Sequence, residues 1–148
     1  MVDVLVVYDT ISGTTKKAAE LVLDGVRGGG ADAEMRSVAD VTVEDLRSAR
    51  GVILGCPCVN DNISGRMREF VAGKLKDARL GGKVGAAFGT HKWNGGNLPR
   101  LEHEMRYEGI RLVTGGVNAR HRISSEDEQA LKRLGEDVAR EVEKVRAG

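Results

Sequence analysis

The chain has 148 residues, of which 20 are glycine and only five are aromatic (Tyr8, Phe70, Phe88, Trp93 and Tyr107); that length suits one core and is tight for two. The glycines follow no Gly-X-Y period, which excludes collagen, and 41% hydrophobic residues with 23 basic against 22 acidic side chains exclude general disorder. A formal charge of +1 leaves no footprint for sequence-independent nucleic-acid binding, and the longest apolar runs, Val4–Tyr8 and Val52–Leu54, are far short of the ~20 residues that span a membrane.

In chain order, Val4–Tyr8 reads as a buried strand. Thr14–Arg27 carries Ala18, Ala19, Val22, Leu23 and Val26 at helical spacing, and Gly28–Gly30 stops it. Ala31–Val38 alternates weakly, as an edge strand does. Thr42 with Asp45 predicts a capped short helix, across which Val41 and Leu46 pack. Gly51–Gly55 is the next buried strand, ended by Cys56. Helix Ser64–Leu75 buries Met67, Phe70, Val71 and Leu75. Lys83–Phe88 is a strand, followed by a glycine-rich loop and a helix from about Leu98 to Glu108, with Leu98, Leu101 and Met105 on its apolar side. Ile110–Val113 is the last strand. Ser125 and Glu128 form a capping box for a final helix whose core face is Leu131, Leu134, Val138, Val142 and Val145.

Five strands alternating with five helices predict a single three-layer α/β domain over residues 1–148, its parallel sheet covered by helices on both faces. In such folds ligands bind at the carboxyl edge of the strands. Three polar loops fall there: Asp9–Thr15, Cys56–Ile63 and Gly89–Gly96. Asp3 stands where a secretory leader would be basic, and Cys56 and Cys58 are too close together to frame a disulfide scaffold. A cytoplasmic protein is therefore expected.

The first loop sets four hydroxyls, Thr10, Ser12, Thr14 and Thr15, and one glycine, Gly13, before a helix. Such a loop can wrap an anion at a helix N-terminus, whereas capping alone needs a single hydroxyl. Lys16 and Lys17 face the positive end of the helix dipole, a placement that a bound dianion would favour. With one glycine, the loop is neither Gly-x-Gly-x-x-Gly nor Gly-x4-Gly-Lys-Ser/Thr.

Val6 to Thr15, followed by Ala19 and Leu23, resembles the FMN-phosphate signature of flavodoxins. Gly55-Cys56-Pro57-Cys58-Val59-Asn60 and Phe88 to Gly96 look like the flavodoxin-like domain of flavodiiron proteins (A-type flavoproteins). The resemblance runs from Val4 to the final helix. It implies a five-stranded flavodoxin-like sheet of order 2-1-3-4-5, bound FMN, and one-electron transfer between redox partner proteins by a monomer or weak homodimer. It sets Thr10, Ile11, Ser12, Gly13, Thr14 and Thr15 around the phosphate. Pro57, Cys58, Val59, Asn60 and Asp61, with Thr90, His91, Lys92, Trp93, Asn94, Gly95 and Gly96, surround the ring.

In that setting Trp93 stacks on the ring, or else packs or meets a partner. Gly95 and Gly96 leave room for the ring and free backbone N–H groups. Asn60 or Asp61 carries the peptide that turns toward flavin N5, unless the segment is an ordinary Asx turn. Flavodiiron domains tend to carry a hydroxyl residue where Cys58 stands, so the thiol is a departure. Lys92 beside the ring predicts a reduction potential less negative than in acidic flavodoxins, provided the side chain does not point away. Arg120, His121 and Arg122 read as a solvated helix start, with partner docking as the lesser alternative. No metal site is expected, because His91, His103 and His121 lack ligand spacing. No acid, base or hydride-donor set is evident, so a carrier is favoured over an FMN-dependent NAD(P)H or quinone reductase or a protoporphyrinogen-oxidase-like enzyme. Asp9 stands alone and Cys56 occupies the phosphorylatable place, which excludes a receiver domain.

Overall fold

The computed structural model describes residues 2–147. Strands β1 (Val4–Tyr8), β2 (Ala33–Ser37), β3 (Gly51–Val59), β4 (Asn62–Ile63), β5 (Val84–His91), β6 (Arg111–Leu112) and β7 (Val117–Arg120) form one sheet. The helices are α1 (Thr14–Gly28), α2 (Val43–Ser48), α3 (Gly65–Phe70), α4 (Lys76–Ala78), α5 (Asn97–Tyr107) and α6 (Ser125–Ala147). A π-helical turn, Val71–Leu75, joins α3 to α4 without a break.

Side chains alternate across each central strand and so build two cores. Val4, Val6, Ile53, Ala86 and Phe88 pack with α1 and α6. Leu5, Val7, Val52, Leu54 and Ala87 pack with the helices of the other face. The three-layer α/β expectation is met. The five-stranded sheet of order 2-1-3-4-5 is not: there are seven strands, in the order β2-β1-β3-β5-β6, with β4 on β3 and β7 on β5.

Two local causes account for the difference. β3 runs past Gly55 to Val59 and turns back through Asn60 and Asp61 into antiparallel β4. Both turn residues have positive φ, 51° and 58°, as a two-residue type I′ hairpin requires. The last strand is also broken. Leu112 pairs with Gly85 and Val117 with Phe88, so residues 113–116 bridge a gap spanned on β5 by only Ala86 and Ala87. That surplus forces an excursion: the expected last strand Ile110–Val113 is shortened to β6, and pairing with β5 resumes beyond it in β7, which was not expected. Cys56 accordingly lies within β3 rather than at its end.

Thr42 and Asp45 form the expected capping box on α2. The final helix is capped one residue earlier than expected. The Ser124 hydroxyl accepts from Asp127 N at 3.1 Å, and Ser124 O accepts from Glu128 N at 2.9 Å. Leu131, Leu134, Val138 and Val142 are buried, but Val145, expected on the same core face, is 52% exposed.

Candidate functional site

At the carboxyl edge, the ends of β1, β3 and β5 deliver the three polar loops to one cleft of about 450 Å³. Its walls are Ile11 and Ser12 from the first loop, Pro57, Cys58, Asn60 and Asp61 from the hairpin, Thr90 to Asn94 from the end of β5, and His121. Ile11 and Trp93 are the apolar exceptions on this edge, 65% and 89% exposed. A second recess, about 390 Å³, lies beside it and is lined by Ser12, Gly13, Thr14, Lys17, His121, Arg122 and Ile123.

The first loop ends on Gly13 at φ 94°, a left-handed conformation that frees α1 from any side-chain cap. The hydroxyls therefore do other work. Thr10 Oγ1 accepts from Gly13 N at 3.0 Å and shapes the turn. Ser12 and Thr14 hydroxyls face each other at 3.4 Å. Thr15 is buried, with its hydroxyl 2.6 Å from that of Thr90, which ties α1 to β5. Beneath the loop, buried Asp9 accepts from Ser64 Oγ at 2.7 Å and pairs with Arg66 at 3.4 Å, holding β1 to the start of α3.

The glycine-rich loop is held from two sides. Asp61 Oδ1 accepts from Gly96 N at 2.8 Å, and a Cβ on Gly96 would collide with the Asp61 backbone oxygen. Asn118 Nδ2 donates to Gly95 O at 3.2 Å and to Asn97 Oδ1 at 2.9 Å. Asn97, 1% exposed, donates in turn to Cys56 O at 3.0 Å and Thr90 O at 3.3 Å. Two buried atoms here, His91 Nδ1 and Asn118 Oδ1, have no protein partner.

Of the expected site residues, Ile11, Ser12, Pro57, Cys58, Asn60, Asp61, Thr90, His91, Lys92, Trp93 and Asn94 share the cleft, and Gly13 and Thr14 line the recess. Thr10, Thr15, Val59, Gly95 and Gly96 line neither; apart from Val59, they build the frame behind. His121 is exposed, as expected of a solvated helix start, and it also walls both spaces, with its Nδ1 3.3 Å from Thr14 Oγ1. Asn97 and Asn118 carried no recognisable signal, because isolated asparagines acquire their partners only in the fold. Burial pushes the Cys56 thiol up to about 12, only partly offset by a hydrogen bond from the Ser64 backbone. Cys56 is thus a packing residue, while half-buried Cys58 faces the cleft. No group of three or more metal-ligating side chains occurs among the described residues.

The family model described as Flavodoxin matches residues 6–134. A flavodoxin of Aquifex aeolicus (strain VF5) is 33% identical, over 92% of this chain and 84% of that protein. The solved structure of a flavodoxin from the domain Archaea superposes with a TM-score of 0.91 at 30% identity, covering 95% of this chain and 98% of that one. The flavodiiron protein of Giardia intestinalis shares the fold, with a TM-score of 0.85 at 19% identity; the match covers 95% of this chain and 36% of that one.

Proposed function

The chain belongs to the flavodoxin family, and from that premise we propose that the cleft described above holds one FMN in a single domain spanning residues 1–148. Flavodoxins bind FMN and pass electrons to redox partner proteins, and the carrier role follows with the family. The observation that supports the site is the pairing of an uncapped hydroxyl loop with two bare apolar side chains across one cleft. Ile11 and Trp93 are left 65% and 89% exposed, and a flat aromatic ring would cover both.

Bound FMN supplies the one-electron chemistry; the chain binds, orients and shields it. The backbone around Gly13, with Ser12 and Thr14, suits the phosphate. Trp93 and Ile11 suit the ring faces, and Cys58, Asn60, Asp61 and Asn94 suit its edge. His91, whose buried Nδ1 has no protein partner, lines the same cleft. Asn60 or Asp61 supplies the peptide nearest N5, both residues standing in the left-handed turn between β3 and β4. No described helix is long and apolar enough to cross a membrane. A cytoplasmic location and a monomer or weak homodimer complete the proposal, the location supported by two free cysteines.

Titration of the purified protein with FMN, followed by its visible spectrum and by quenching of flavin fluorescence, tests the site. A protein that takes up no FMN overturns it. Steady-state assays with NAD(P)H and a quinone test the carrier role: slow turnover supports it, and rapid turnover makes the protein a reductase.

A further inference from the structure

We propose that His121 is a ligand of the FMN phosphate, reaching the phosphate loop from the far end of the chain; this rests on the FMN reading above. Its Nδ1 lies 3.3 Å from Thr14 Oγ1, across 107 residues of sequence. His121 N donates to His91 O at 2.7 Å, which pins its backbone to the end of β5. It is the residue that, together with Ser12, walls both the ring cleft and the neighbouring recess. A phosphate at the hydroxyl loop therefore meets His121 whichever space it enters. No protein partner among the described residues takes the ring's other nitrogen, Nε2.

The surrounding charge favours an anion. Lys17 and Arg122 line the recess and Lys92 lines the cleft. Asp61 is the one carboxylate in either lining, and it accepts from Gly96 N at the hairpin side. Asp127, beyond His121, accepts from Arg120 N at 3.2 Å. Glu126 and Glu128 stand in the first turn of α6 and line neither space. A merely solvated helix start would not bring an imidazole onto the phosphate loop.

FMN and riboflavin differ only by the phosphate, so their affinities for the apoprotein separate the possibilities. His121→Ala is expected to weaken FMN about tenfold, the loss of one hydrogen bond to a charged group at an exposed site, and to leave riboflavin within about twofold. His121→Gln, which keeps an uncharged donor, recovers part of the loss. An unchanged FMN affinity overturns the proposal. So does an equal loss for both flavins, which would make His121 a wall of the ring cleft alone. Thermal unfolding of the apoprotein controls for folding, and the exposed His121 should leave it unmoved. If the wild type binds neither flavin, the FMN reading itself fails and this ligand fails with it.

Discussion

Trp93 contributes to the cleft by being left out of the core, for it sits 89% exposed in a loop that is otherwise held at several points. Trp93→Ala should weaken FMN binding roughly tenfold, through lost stacking and burial, and should raise the fluorescence of the flavin that still binds; unaltered fluorescence would place the indole away from the ring. Lys92 is exposed on the same wall. Its charge stabilises added electron density by Coulomb attraction, about 1 kcal/mol across a partly solvated gap. Lys92→Glu should therefore lower the FMN midpoint potential by tens of millivolts, as measured by redox titration, and an equal or higher potential would count against this role. At this scale the sequence was legible wherever chemistry was clustered. Four hydroxyls in six residues and the lone tryptophan among glycines marked out two loops, and the fold brings Ser12 and Trp93 from them to one cleft. Asn97, Asn118 and His121 were not legible, because an amide or imidazole at the start of a helix or the end of a strand has many uses. Only the pairing register shows that these three meet Thr14, Cys56, Thr90 and Gly95.

Among the elements, the contact between α1 and α6 is the most sharply constrained. Gly25 faces the Lys132 carbonyl and Gly135 faces the Val22 carbonyl, each so close that an added Cβ would collide with backbone. The two helices cross on a pair of glycines, and neither can grow a side chain without separating them. Gly135→Ala should cost about 1–3 kcal/mol or more, seen as a lower urea midpoint, even though alanine is the better helix former. A stability equal to that of the wild type would show that the helices can part. Periodicity located both helices but could not reveal that their glycines face one another. The broken last strand was hidden for a related reason. Ile110–Val113 looks like a complete strand, and Thr114-Gly115-Gly116 looks like its turn. The continuation as β7 depends on pairing with Phe88 to His91, which no local pattern encodes. The cap on α6 slipped by one residue because Ser124 and Ser125 are equally good candidates; the fold chose the one whose Asp127 also reaches Arg120 N.

Across the whole molecule, function and stability occupy opposite ends of the sheet. The amino edge has a larger recess, about 530 Å³, lined by Val2, Asp3, Arg50 and Lys83 among others. Its half-buried cation is committed to structure: Lys83 donates to the carbonyls of Leu46, Arg47 and Ala49, closing the end of α2, and partial burial lowers its pKa. At the centre, the Cys56 thiol is raised from 9.0 to about 12 by desolvation. The folded state thus favours the neutral thiol. Its contribution is fully present below pH 9 and is lost progressively as pH climbs toward 12. Cys56→Ala should leave a cavity and lower stability at neutral pH, yet flatten the decline in denaturation midpoint as pH rises from 9.0 toward about 12. A variant that declines as steeply as the wild type would assign the alkaline loss to other groups.

The interruption between β6 and β7 also bears on how copies of this chain meet one another. A long, regular outer strand offers a continuous row of N–H and C=O groups, on which a second sheet can grow. Here that rim is cut into runs of two and four residues with a displaced segment between them. The opposite rim, β2, is five residues long and carries the ion pair Glu34–Arg36 at 2.6 Å. Neither margin presents a template long and apolar enough to recruit a neighbour, so the detour between β6 and β7 also guards the protein against edge-to-edge aggregation.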